Sequence, residues 1–240
     1  MEGNQVKDFE KEFAEYQQVE YGICVLNGTL GLEIALCALD VGIGNEVITI
    51  PYTFFTTASA ILQVGAIPNF IDIDPEIYWM NLDQVEEVIM EKTRALLSVH
   101  LGGQPINLTQ LKAIAQKYDH AIIEDACQAW GSGWSGQRVG AIEDLGVFSF
   151  QASKNITSGE GGIILTNDQE LESKCWSIHN CGRKRNGLWY EHVCLGINCW
   201  LTEGAILCQQ INRGPEQAKK MKKMPGICGK DYRRLKGYSV

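Results

Sequence analysis

The sequence predicts an α/β fold of three layers, in which helices cover both faces of a mostly parallel mixed sheet. Three observations carry this reading. Short apolar runs of strand length alternate with segments of helical periodicity along most of the chain, the rhythm of repeated βαβ units. With 240 residues and 45% hydrophobic content, the chain can bury a full core. No internal repeat or low-complexity stretch interrupts the pattern.

The elements follow in order. A strand at 23–26 leads into a helix at 29–39, and a strand at 47–50 into a helix at 56–64. The rhythm continues with a strand at 67–71, a helix at 81–90, a strand at 95–99 and a helix at 108–118. Strands at 121–123, 146–150 and 162–165 complete the sheet. After Arg213 the apolar periodicity fades, and Lys219-Lys-Met-Lys-Lys-Met-Pro-Gly-Ile-Cys-Gly-Lys reads as a poor core former. The expected organisation is therefore one large domain at 1–213 and a basic, aperiodic tail at 214–240.

Charge narrows the function classes. The tail carries eight Lys/Arg against two acids, leaving thirteen bases against twenty-seven acids before it. The body is thus about −14 and the tail +6 within a net charge of −8. An acidic body argues against nucleic acid as a main partner, since phosphate backbones require a basic surface. No apolar run approaches the ~18 residues of a membrane span, and the N-terminus lacks the basic-then-apolar order of a signal peptide. A cytoplasmic protein with no membrane partner is expected. The nine cysteines, from Cys24 to Cys228, show no paired C-x-x-C spacing, so neither a metal site nor a disulfide framework is suggested.

Three segments could carry chemistry. Asn27-Gly28-Thr29 follows a strand and opens a helix, where backbone N–H groups and the helix dipole favour an anion such as phosphate; taken alone, these residues favour a plain capped turn over a phosphate site. In Ala121-Ile-Ile-Glu-Asp125-Ala-Cys-Gln128, a strand ends in an acid at the sheet edge where α/β proteins bind ligands. An aspartate there can keep a cofactor's pyridine nitrogen protonated, although a turn-initiating Asp is the alternative. Glu124 faces the other side of the strand and cannot share that task. In Phe148-Ser149-Phe150-Gln151-Ala152-Ser153-Lys154-Asn155, followed by Gly159-Glu-Gly-Gly162, a lysine lies among aromatic, small and glycine residues. Its amine could bond pyridoxal phosphate (PLP) and then move a proton, and Ser149 could add a phosphate hydrogen bond. A lysine beside a glycine-rich turn is the competing reading. His100 lies at another strand end, where a hydrogen-bonded structural histidine is preferred over a catalytic one. A Rossmann-type nucleotide binder is disfavoured, because no G-x-G-x-x-G follows the first strand.

With these segments in this order, the chain resembles the DegT/DnrJ/StrS family of PLP-dependent sugar aminotransferases, of the fold type I, aspartate-aminotransferase-like group. The resemblance covers roughly residues 8–213. It rests also on Pro51-Tyr-Thr-Phe54-Phe-Thr-Thr-Ala-Ser-Ala, Asp72-Ile-Asp74 and Val99-His100-Leu-Gly-Gly-Gln-Pro105. It implies that Gly28, Thr29 and Ser149 hold the phosphate, that Phe54 stacks on the pyridine ring, and that Asp125 pairs with its nitrogen. Gln128 would lie near the cofactor's 3-oxygen, and Lys154 would be the Schiff-base lysine. Asn198 resembles the family asparagine that reaches the phosphate of the partner subunit, so a homodimer is implied. The resemblance further implies amino transfer from glutamate or glutamine to a nucleotide-linked keto-sugar or a keto-cyclitol. Lys154 separates the chain from the family's dehydratase branch, in which a histidine takes that position. Family members usually continue into a smaller domain that closes over the substrate, and little of it is expected here. The run Asn198-Cys-Trp-Leu-Thr-Glu203 also departs from the family pattern. The alternative function is a non-catalytic, truncated PLP-binding remnant or a partner subunit of a longer homologue.

Overall fold

The computed structural model describes residues 3–140, 142–185, 204–223 and 238–239. Its centre is a seven-stranded sheet in the order β1-β9-β8-β5-β4-β2-β3. The strands are β1 (Tyr21–Val25), β2 (Glu46–Thr49), β3 (Ile67–Phe70), β4 (Thr93–Val99), β5 (Ala121–Asp125), β8 (Leu145–Ser149) and β9 (Gly162–Thr166). Strands β3, β2, β4, β5 and β8 pair in parallel, whereas β9 is antiparallel to both β8 and β1. All strands but β9 therefore run the same way, and the expected mostly parallel sheet is present. The exception has a local cause: β8 and β9 are joined by a loop rather than a helix, and only a crossover would return the chain to a parallel start.

Around the sheet lie α1 (Asn4–Gln17), α2 (Gly28–Ala38), α3 (Thr56–Gln63), α4 (Leu82–Val88), α5 (Leu108–Tyr118), α6 (Gln169–His179) and α7 (Gly204–Lys223). Together with the sheet they form the α/β/α layers predicted. Helix α2 packs against α3 and α6, α1 against α7, and α4 against α5. A minor sheet adds β6 (Gly133–Trp134) and β7 (Gln137–Arg138) beside β10 (Tyr238–Ser239). Helix α7 runs through residue 213, so the division expected there falls within a helix.

Two packing features position the functional edge. In α1, Val6, Phe9 and Phe13 recur at helical spacing and are buried. Phe9 meets Phe150 and Phe13 meets Phe148 edge-on, each pair with centroids 5.2 Å apart, which anchors the end of β8. The second feature is Gly162 at the start of β9. A Cβ there would lie 2.7 Å from the Asn27 carbonyl carbon and 2.9 Å from the Gly28 nitrogen, so only glycine lets α2 begin this close to the sheet.

A candidate active site at the carboxyl edge of the sheet

Because β1, β2, β4, β5 and β8 run the same way, the residues after each of them converge on one edge. A cavity of about 970 Å³ opens there. Gly28, Thr29, Phe54, Asp125, Gln128, Ser149 and Lys154 all line it. Of the residues expected in the site, Asn198 lies outside the described residues.

At one end of the cavity is the first turn of α2. The Asn27 side chain accepts the Leu30 amide at 2.9 Å and the Asn27 carbonyl accepts the Gly31 amide at 3.1 Å. Gly28 and Thr29 carry the remaining first-turn N–H groups, which have no intrahelical acceptor and point toward a site for an anion. A Cβ on Gly28 would stand 2.8 Å from Cys127 Sγ and 3.1 Å from Ser149 Cβ, so α2, β5 and β8 meet around a glycine.

Asp125, at the end of β5, is only 7% exposed. Its Oδ2 accepts the Thr57 hydroxyl at 2.8 Å and its Oδ1 accepts the Cys127 amide at 3.2 Å. Among the described residues no lysine, arginine or histidine forms an ion pair with it. Burying a carboxylate on neutral donors alone is costly, and a cationic group in the cavity would offset that cost. Neighbouring Cys127 is held far above the ordinary thiol range by burial and by the Asp125 charge, so its thiol stays protonated.

Lys154 sits half-buried in the loop between β8 and β9. Its backbone amide donates to the Gln151 carbonyl at 2.9 Å. The Gln151 side chain folds back to accept the Ser153 amide and hydroxyl at 2.8 and 2.6 Å. The loop closes through Phe150, whose carbonyl accepts the Thr157 hydroxyl at 2.9 Å and the Ser158 amide at 3.1 Å. A turn so tied presents the lysine to the cavity on a fixed base, and among the described residues its ammonium enters no ion pair.

Two further side chains complete the walls. Gln128 Oε1 accepts the Gly102 amide at 2.9 Å, which leaves its NH₂ group as the free donor. Phe54 is 60% exposed with its ring 4.8 Å from Phe55, so it stands at the cavity rim and not in the core. His100 is fully buried: its Nδ1 accepts the Ile106 amide at 3.4 Å, so Nε2 carries the proton given to Glu124 at 2.9 Å. Glu124 also accepts the amides of Gly140, Ile142 and Glu143, at 2.7, 2.8 and 3.1 Å, and so organises the loop before β8. His100 is thus a hydrogen-bonded buried histidine, the reading preferred from the sequence, and Glu124 faces away from the cavity that Asp125 lines.

The sequence reading missed Thr53 and Thr57, whose hydroxyls lie 3.0 Å apart and lead to Asp125. Their i, i+4 spacing at the head of α3 was the available signal. It was hidden because hydroxyls at a helix start read first as capping residues.

The sequence profile of the DegT/DnrJ/EryC1/StrS aminotransferase family matches residues 1–236. The chain belongs to this family. Among its relatives is the pleiotropic regulatory protein of Geobacillus stearothermophilus, 42% identical over 224 residues, a match covering 91% of this chain and 59% of that protein. GDP-perosamine synthase of Escherichia coli O157:H7 is 34% identical over 235 residues, covering 97% of this chain and 64% of the synthase. The PLP form of Spr1654 from Streptococcus pneumoniae superposes with a TM-score of 0.82 at 28% identity, covering 89% of this chain and 60% of that one. This DegT/DnrJ/EryC1/StrS member thus spans about 60% of the length of the relatives it matches. Among the described residues no helix is long and apolar enough to cross a membrane.

Proposed function

We propose that the chain forms the cofactor-binding part of a PLP-dependent aminotransferase that moves an amino group from glutamate or glutamine to a keto-sugar or keto-cyclitol. The observation that carries the reading is one cavity in which, among the described residues, a buried carboxylate has no cationic partner, a lysine enters no ion pair and a helix presents its N-terminus. This donor set suits PLP, which has an anionic phosphate, a basic ring nitrogen and an aldehyde. When bound, PLP supplies an electron-accepting ring next to the carbon that receives the amino group.

The residues divide the work. The Gly28 and Thr29 amides with the Ser149 hydroxyl bind the phosphate, aided by the α2 dipole. Asp125 holds a proton on the ring nitrogen, and its two neutral hydrogen bonds fix the carboxylate without competing for its charge. Lys154 would hold the cofactor through its amine, and the same Nζ would take up, as an ammonium, the proton lost from the amino donor's Cα. Gln128 donates to the 3-oxygen, and Phe54 covers one face of the ring. The protonated Cys127 thiol does not compete with Lys154 as a nucleophile. The reading includes a homodimer in the cytoplasm.

Absorbance titration of the purified chain with PLP tests this. A visible band that glutamate or glutamine bleaches, with an amino product formed on adding a keto-sugar, is the expected result. A band that no donor alters would favour a cofactor-binding partner subunit. No band would overturn the reading.

A further inference from the structure

Behind the cavity, the Asp125 carboxylate is held by a buried hydroxyl to which no role has been given. Thr57 lies in the first turn of α3 and is fully buried. A buried hydroxyl without partners is costly, and this one has two: Asp125 Oδ2 at 2.8 Å and Thr53 Oγ1 at 3.0 Å. A hydroxyl carries a single proton. An ionised carboxylate can only accept, so Thr57 gives its proton to Asp125 and must accept one from Thr53. The direction of the relay is thereby fixed: Thr53 to Thr57 to Asp125. Thr53 lines the cavity, so the open lone pairs at its end face whatever the cavity holds. The Cys127 amide donates to the other oxygen at 3.2 Å.

We infer that Thr57 is a positioning residue for the cofactor's ring nitrogen, acting through Asp125, with Thr53 orienting its hydroxyl. The inference rests on the proposed PLP site. Carboxylates rotate readily about their last torsion, and a single backbone amide does not hold one in plane. The Thr57 hydroxyl supplies the second point of attachment and disperses negative charge, so that Asp125 meets the ring nitrogen in one orientation. Thr57 touches neither cofactor nor substrate.

The test is a PLP titration of the full chain and its Thr57→Val, Thr57→Ser and Thr53→Val variants, reading both the dissociation constant and the position of the visible band. Valine keeps the volume and removes the hydroxyl. Thr57→Val should raise the dissociation constant about tenfold, the scale of one hydrogen bond to a charged group, and shift the band to shorter wavelength. Thr57→Ser should restore both to within about twofold, and Thr53→Val should fall between. A Val variant that binds like the parent, or a Ser variant as impaired as the Val variant, would overturn the inference while leaving the proposed function standing. Absence of a band in the unaltered chain would overturn both.

Discussion

Asp125 and Lys154 face one cavity from different elements, and their replacement should have different consequences. Asp125→Asn retains the size but offers one acceptor oxygen where Asp125 offers two to the Thr57 hydroxyl and the Cys127 amide, and its neutral amide cannot stabilise a protonated ring nitrogen. Turnover should fall by roughly a hundredfold, whereas the dissociation constant for PLP should change far less; steady-state kinetics beside a binding titration separates the two. Equal turnover in the variant would remove Asp125 from the chemistry. At this scale the sequence was informative where a residue type is unusual for its place, as with a lysine among small and aromatic residues. It was silent on Thr57, because a threonine is ordinary at a helix start and its partner lies 68 positions away. The fold of the Gln151 side chain onto Ser153 was equally hidden, since nothing local distinguishes it from a surface glutamine.

Among the elements, the junction of β1, α2 and β9 matters most. Val25 pairs with Gly162, and the same glycine admits the Asn27 and Gly28 backbone. Gly162→Ala should therefore cost about 1–3 kcal/mol of stability through overpacking. By displacing the α2 amides, it should also raise the PLP concentration for half-saturation about tenfold, the equivalent of about 1.4 kcal/mol. Urea denaturation and a PLP titration check the two effects. The strand and helix rhythm was readable from periodicity, which is why the seven strands of the main sheet and helices α2 to α5 lie near their expected positions, whereas the two-residue strands β6 and β7 are too short to show a period. The antiparallel setting of β9 was not, because direction depends on how the chain returns and not on the strand's own residues. Helix α6 escaped notice because its apolar stripe is short, Leu171, Cys175 and Ile178, and shares the buried face with Glu172, Ser177 and His179. Helix α7 was not expected, because the apolar periodicity fades after Arg213 while the helix continues through Gly214 and Pro215.

For the whole molecule, pH dependence follows from a group far from the cofactor cavity. Glu143, whose side chain is 5% exposed, is pushed up from the ordinary glutamate range to about 7 by burial, with Lys112 at 3.2 Å opposing part of the rise. The fold thus favours the neutral carboxyl. Its stabilisation is full below the unfolded value and is lost as pH rises from about 4.5 to about 7. Urea midpoints at about pH 5 and about pH 7.5 should fall more in the unaltered chain than in Glu143→Gln; parallel profiles would exclude Glu143 as the source. The larger organisation brings the ends of five strands to one edge, and the proposed function places its chemistry at that edge through Lys154. The most direct test is reduction of the PLP-loaded chain with borohydride, followed by peptide mass mapping. The account predicts a phosphopyridoxyl group on Lys154 and none in Lys154→Ala; label on another lysine, or none on the loaded chain, would contradict it.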